Sequence, residues 1–280
     1  MKIGCHISIR GGIENSVQRA SELGCESFQI FTQNQRQWIS KIYSKTEIQA
    51  FRNAKNKFEY KSTDIISHGS YLINLCANEP DKLTKSRQAF LEELKRCDAL
   101  GISAVVIHPG AHGGNGNEWG IKTIADSLNE ILKVYTPHVK ILLETIAGQG
   151  TGIGYTFEQL AAIRNQVYQK DAVGFCLDTC HIFSAGYAIR NDNEWDAVIR
   201  QINAAINIDN IKAIHLNDCK YECGSKKDRH AAISDGYIGF DGFRSLINRN
   251  EFKNIPAVLE VPGGDGVFRD NIKMLKAMRY

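Results

Sequence analysis

The feature that most constrains this chain is an alternation running from one end to the other. A short β-rich run closes on polar residues, a longer helix-compatible stretch follows, and another β-rich run begins. Eight such runs are read at Lys2–Ser8, Ser27–Thr32, Asp64–His68, Ala104–His108, Val139–Glu144, Val173–Asp178, Ile211–Leu216 and Ala257–Glu260. Several are nearly continuous apolar segments (AVVI, KILL, AVLE), as expected of strands buried on both faces of a parallel sheet. The stretches between them carry helical spacing. In Lys85–Leu100, the residues Phe90, Leu91, Leu94, Cys97 and Leu100 recur at intervals of three and four, and Gly101 stands where a helix stop belongs. Ile13–Leu23 followed by Gly24 repeats that logic, and Thr156 ahead of FEQL is placed to cap a helix. Eight strand–helix units joined by right-handed crossovers close most naturally into a TIM (β/α)8 barrel. A length of 280 residues is the usual size of one such barrel, and only five prolines and no linker-like tract occur, so a single domain over residues 1–280 is expected.

Charge excludes little. Lys plus Arg is 34 against 31 Asp plus Glu, a net charge of +3, so any nucleic-acid surface has to concentrate its positive charge locally. The longest apolar stretches are strand-length, and no membrane span is expected. The opening MKIGCHISIRGG sets Arg10 and a Gly pair where an export signal needs a continuous apolar core, so the protein is expected in the cytoplasm and not secreted. The eight cysteines form no C-x-x-C pair and read as reduced thiols.

In such a barrel the reactive side chains come from the carboxyl ends of the strands and the loops after them. The third run ends in His68, the fourth in His108, the fifth in Glu144 and the sixth in Asp178, with His181 three residues on in DTCH. The seventh holds His215, its following loop carries Asp228 and His230 in DRH, and the eighth ends in Glu260. Singly, a strand-end histidine is more often a hydrogen-bonded core or rim residue than a ligand, and a strand-end Glu or Asp is often a helix cap or a solvated charge. Together, four carboxylates in one mouth repel and raise each other's pKa unless cations are present. Five histidines among them make a ligand set for metal ions. Imidazole mixed with carboxylate suits Zn²⁺, whereas Mg²⁺ and Ca²⁺ prefer oxygen alone. Nine ligands exceed one tetrahedral ion and fit two or three with a shared carboxylate. Metal ions roughly 3.5–4 Å apart can hold the attacking and leaving oxygens of a displacement at phosphorus, so metal-assisted phosphodiester hydrolysis is the natural chemistry.

The blocks GCHIS with its GG pair, FTQNQRQW, HGSYLINL, VIHPG, LETIAGQG, FCLDTCHIFSAGY, IHLNDCKYECGSKKDRHAAI, GYIGF and LEVPGG span nearly the whole chain. In them the chain resembles the endonuclease IV family of apurinic/apyrimidinic endonucleases. The resemblance implies a trinuclear zinc barrel, with three Zn²⁺ per chain, that cleaves DNA on the 5′ side of an abasic site. It implies 3′-hydroxyl and 5′-deoxyribose phosphate products, and removal of blocking groups from 3′ ends as a phosphodiesterase or phosphatase. Carried over by position, His68 and His108 hold the first zinc and Glu144 bridges to a second completed by Asp178, His215 and Glu260. His181, Asp228 and His230 hold the third. Glu144 and Glu260 are the catalytic carboxylates, with Glu260 placed to handle the nucleophile's proton. Arg36 in NQRQW and Tyr71 with Leu72 in SYLINL resemble side chains that enter the duplex at the lesion. A missing base has already lost its stacking, so extruding that sugar costs less than extruding an intact nucleotide. Lys220, Lys226, Lys227 and Arg229 on the loop after the seventh run can concentrate positive potential there. The implied partner is double-stranded DNA with abasic sites or blocked 3′ ends. The implied setting is a bacterial-type cytoplasm with nucleoid association. A monomer is expected, since no extra interaction segment is visible.

Two positions depart from the family's usual pattern: Val261 stands where Thr is more frequent, and Cys5 where Ala is usual. Neither is an expected ligand. His6, Asn217 and Asp218 read either as partners that orient ligands or as strand-end packing. Three other readings compete. A metal-dependent sugar isomerase or epimerase would need only Glu144, Asp178, His215 and Glu260; the five further ligands and NQRQW argue against it. A non-catalytic DNA-binding protein has no use for an intact ligand set. A nicotinamide enzyme fails because AGQGTGIGY does not fit G-x-G-x-x-G and does not open the chain.

Overall fold

The computed structural model describes residues 1–38 and 41–280. Eight strands close into a barrel: β1 (Lys2–Ile7), β2 (Ser27–Ile30), β3 (Ile65–His68), β4 (Ala104–Ile107), β5 (Lys140–Glu144), β6 (Val173–Asp178), β7 (Ile211–His215) and β8 (Pro256–Leu259). Each pairs in parallel with its sequence neighbour, and β8 returns to β1 with Pro256 opposite Lys2. This is the expected TIM (β/α)8 barrel. The strands are one or two residues shorter than the sequence suggested at several ends. His108 and Glu260 fall just beyond β4 and β8. At Glu260 the backbone N–H has left the ladder and donates to Asn217 Oδ1 at 2.8 Å.

The apolar runs explain the two cores. Inside the barrel, Ile66, Val106, Leu142, Cys176, Ala213 and Val258 fill the interior as one cluster. Their alternate neighbours, such as Ile65, Val105, Leu143 and Phe175, face outward into a larger cluster shared with the helices. The surrounding helices are α1 (Glu14–Glu22), α2 (Lys45–Lys57), α3 (Pro80–Leu100), α4 (Asn117–Val134), α5 (Phe157–Asn165), α6 (Thr179–Ala185), α7 (Asp192–Ala205), α8 (Gly239–Ile247) and α9 (Gly264–Ala277). On α3 the side chains of Phe90, Leu94, Cys97 and Leu100 are fully buried, as their spacing predicts, and Gly101 ends the helix at φ +73°, where a side chain would be strained. Thr156 caps α5 by accepting from Gln159 N–H. In β1, Gly4 lets the backbone of β2 come close: a Cβ there would sit 1.5 Å from Ser27 O. Every cysteine among the described residues is free. No helix among the described residues is long and apolar enough to cross a membrane.

Two additions sit on the mouth. Gly110–Ala111 pairs antiparallel with Gly152–Ile153, and Asp218–Cys219 with His230–Ala231. The second pair folds the loop after β7 back on itself, setting Cys219 opposite His230. Asp218 holds this loop from inside. Its carboxylate accepts backbone N–H groups from Cys219, Ser234, Gly236, Ile238 and Gly239 at 2.7–3.3 Å. It therefore builds the loop that carries Asp228 and His230, and it does not orient a ligand directly.

Candidate metal centre

The ladder register brings the strand ends to one level, with Glu144 opposite Cys176 and Asp178 opposite His215. Glu144, fully buried, stands at the middle. Its Oε2 lies 3.1 Å from both His68 Nε2 and His108 Nε2. Its Oε1 lies 2.8 Å from His215 Nδ1 and 3.3 Å from His181 Nδ1. His215 Nδ1 is also 3.3 Å from Glu260 Oε2 and 3.7 Å from Asp178 Oδ2. Asp228 Oδ1 lies 3.2 Å from His181 Nε2 and 3.4 Å from His230 Nε2.

Ligand atoms gather in groups whose members all lie within 4.8 Å of one another. His68, His108 and Glu144 form one, and Glu144, Asp178, His215 and Glu260 another. His230 closes two more, one with Asp178 and His181, the other with Cys180 and Asp228. The first two groups coincide with the sets the resemblance implies for the first two zincs. At the third, Asp178 approaches as well as Asp228, and Cys180 offers a thiol that was not among the expected ligands.

Local folding explains the placement. Asp178 ends β6 and also caps α6, its Oδ1 accepting from His181 N–H at 2.8 Å, while Asn217 Nδ2 donates to Oδ2 at 2.7 Å. One carboxylate thus starts the helix that carries His181 and turns its second oxygen to the mouth. Asn217 Oδ1, accepting from Glu260 N–H, ties the seventh and eighth strand ends together. Four of the five imidazoles are fixed at their far nitrogens. His68 Nδ1 donates to Gly69 O at 2.7 Å, His181 Nδ1 to Thr145 O at 2.8 Å, and His230 Nδ1 to Glu260 O at 3.2 Å. For His215 the far nitrogen is Nε2, 2.9 Å from Gln29 Oε1. These bonds assign the tautomers and turn bare lone pairs inward.

That arrangement fits metal ions. A lone pair facing a carboxylate oxygen at about 3 Å is repulsive unless a proton or a cation lies between them. His181 Nε2 and His230 Nε2 are buried, flank Asp228 and make no hydrogen bond. Electrostatics agree. Burial opposes ionisation of Glu144, yet the His215, His108 and His181 imidazoles hold its carboxyl well below the usual carboxylate range. Burial works against the proton on His181, while Asp178, Asp228 and Glu144 draw it and raise the pKa well above 6.5. The same holds for His215 between Cys176, Glu260 and Glu144. Asp228, against burial, is brought down to about 2 by His181 and His230. These groups attract positive charge strongly, and divalent ions supply it without protons.

The expected DNA-contacting residues share this rim. Tyr71, 63% exposed, projects from the loop after β3 with its ring 5.8 Å from His68 and 6.4 Å from His108. It lines two cavities of about 580 Å³ each, one with His68, His108 and His181, the other with His6, Phe31 and Glu260. Leu72 beside it is half-buried, and Arg36 is exposed on a turn joined to Tyr71's loop by Ser70 Oγ donating to Gln35 O at 2.7 Å. Lys220, Lys226, Lys227 and Arg229 are exposed on the hairpin after β7. Gln29 escaped the sequence reading. The available signal was a single amide between the apolar Phe28 and Ile30 of β2.

Fold and mouth together define a (β/α)8 barrel enzyme with a candidate multinuclear metal centre at the carboxyl ends of its strands. A family model described as xylose isomerase-like TIM barrel matches residues 17–278. A protein described as probable endonuclease 4 from Chlorobium phaeobacteroides (strain BS1) is 41% identical over 276 residues, covering 98% of this chain and 96% of its own length. The crystal structure of endonuclease IV from Thermus thermophilus aligns with a TM-score of 0.87 at 30% identity, covering 99% of this chain and 98% of that one. A D-tagatose 3-epimerase-like protein, at 17% identity and a TM-score of 0.74 over 99% of this chain and 97% of its own, shares the fold alone. The chain belongs to the endonuclease 4 family of DNA-repair hydrolases.

Proposed function

We propose that this protein hydrolyses the phosphodiester bond 5′ to abasic sites in double-stranded DNA, giving 3′-hydroxyl and 5′-deoxyribose phosphate ends, and that it clears blocked 3′ ends. The observation that carries the reading is the meeting of five imidazoles and three further carboxylates around the fully buried Glu144, in a chain of the endonuclease 4 family. Three zinc ions would be held by His68, His108 and Glu144; by Glu144, Asp178, His215 and Glu260; and by His181, Asp228 and His230. When bound, such ions acidify water toward neutrality and neutralise charge at a reacting phosphate. The rest falls to the chain's own groups. Glu144 sets its two oxygens within 3.3 Å of nitrogens of four imidazoles and so gathers the ligand groups around one charge. Glu260, buried except for an edge toward the Tyr71 cavity, takes the nucleophile's proton on its carboxylate. Arg36, Tyr71 and Leu72 occupy the gap left by the missing base, and the lysine-rich hairpin grips phosphates without reading sequence. The protein would act as a monomeric single domain, residues 1–280, on the nucleoid of a bacterial-type cytoplasm.

A duplex carrying one tetrahydrofuran residue tests the reading, because that sugar has no aldehyde and can be cut only by hydrolysis. Incision is expected on its 5′ side, with a 3′ end that a polymerase extends. No cut, or a 3′ end that cannot be extended, would refute it. Tyr71→Ala is expected to reduce the preference for abasic over intact duplex by roughly tenfold, on the scale of about 1–3 kcal/mol per aromatic–base stack, with single-turnover cleavage at saturation unchanged. A slower single-turnover step at unchanged affinity would sink the insertion role.

A further inference from the structure

The far side of the site is organised by one neutral side chain. Gln29 lies in β2, fully buried, where Phe28 and Ile30 belong to the outer core and the amide reaches into the barrel mouth. Its Oε1 is 2.9 Å from His215 Nε2. Its Nε2 is 2.6 Å from Glu260 Oε1 and 3.0 Å from His6 Nδ1. We infer that Gln29 is a positioning residue that sets the tautomer of His215 and the rotation of Glu260 together, so that Nδ1 of one and Oε2 of the other face a single metal ion.

The chemistry leaves one consistent assignment. A carboxamide has one end that only accepts and one that only donates. Turned the other way, it would set its carbonyl against the Glu260 carboxylate and its N–H groups against an imidazole N–H. In the observed orientation Oε1 accepts from His215 Nε2–H, which leaves His215 Nδ1 bare, 2.8 Å from Glu144 Oε1 and 3.3 Å from Glu260 Oε2. The two N–H groups are used on Glu260 Oε1 and on His6 Nδ1, whose ring lies against Phe31 at 4.4 Å between centroids. Glu260 is thereby held at one oxygen and presents the other. His68, His181 and His230 take the equivalent bond from rigid backbone carbonyls. His215 takes it from a side chain 186 positions away in the sequence, and that same side chain also anchors a second expected ligand. The assignment rests on His215 and Glu260 being ligands, as proposed above.

The test compares full-length holoprotein of Gln29→Leu, Gln29→Glu and His215→Ala with the parent, measuring zinc per chain after dialysis against EDTA, thermal unfolding, and kcat and KM on abasic duplex. Outer partners of metal ligands typically matter by about 10–100-fold in metal affinity or activity. Gln29→Leu is expected to lose one zinc to the chelator while keeping the others, with kcat down by that factor and KM within about twofold. Gln29→Glu keeps the acceptor for His215 but sets a second carboxylate against Glu260. It should lose the same ion, and it serves if the leucine variant fails to fold. Parental zinc retention and kcat in a folded Gln29 variant, with zinc lost from His215→Ala, overturns the role of Gln29 alone. Parental zinc in His215→Ala as well overturns the ligand reading, and the role of Gln29 with it. Activity that declines only in step with the folded fraction, at full zinc, assigns Gln29 to packing and also overturns the inference.

Discussion

Glu144→Gln is expected to slow incision of abasic duplex by about 10³-fold or more, on the order of 4 kcal/mol in the barrier, and to reduce the metal content of the purified protein. The size of the effect follows from how both oxygens are used. Oε2 is shared by His68 and His108 at 3.1 Å, and Oε1 faces His215 at 2.8 Å and His181 at 3.3 Å. Glutamine is nearly isosteric, but it replaces one oxygen with an N–H₂ that points at bound cations or at imidazole, and it removes the charge that holds the cluster. No solvent can compensate, because the side chain is fully buried. Single-turnover incision with metal analysis on the same sample checks this. Parental rate and metal content in the variant would remove Glu144 from the centre of the site.

Chelation is expected to abolish incision, with added Zn²⁺ restoring it, and to give the stripped protein a pH dependence that the loaded form lacks. Without ions, His181 and His215 take protons inside the fold, their pKa raised above 6.5. Their contribution to stability is complete below pH 6.5 and is lost as pH rises through the raised values. Glu144 and Glu260 are depressed below 4.5 despite burial, chiefly by His215, and their contribution is present above 4.5 and lost as pH falls through the depressed values. The stripped protein should therefore melt highest between these two limits and progressively lower as pH rises above 6.5 into the alkaline range. In the loaded form the ions have already displaced the imidazole protons, so its melting temperature should stay level over that alkaline range and fall on the acid side, where protons compete for the ligands. Parallel melting curves for the two forms across the alkaline range would contradict the assignment of these imidazoles.

Much of the site was legible because barrel geometry converts position along the chain into position in space. A polar residue closing an apolar strand must stand at the mouth, so His68, Glu144 and Asp178 could be placed from the text alone. The same rule located His108 and Glu260, although each sits one residue past its strand. What stayed hidden depends on contacts that no local pattern encodes. Gln29 meets His215 and Glu260 across the barrel mouth, 186 and 231 positions away, and within SFQI it looks like any polar residue in a strand. Asp218 adjoins Asn217 in sequence, and each reads there either as strand-end packing or as a ligand support. Only Asn217 is one, because the carboxylate of Asp218 is used up by five backbone N–H groups of the returning hairpin. On α3 the buried Glu93 and Arg96 break the amphipathic pattern because they join Thr32 after β2 to Ser67 in β3. Periodicity shows that a charge lies on a buried face and is silent about what compensates it.

The most direct test of the account is a count of metal ions on the purified chain, with their positions fixed by anomalous scattering at the zinc edge. About three zinc ions per chain are expected, clustered around Glu144 with Asp178, His181, His215, Asp228, His230 and Glu260 among their contacts. A preparation that incises abasic duplex while holding a single ion, or none, at this mouth would contradict it.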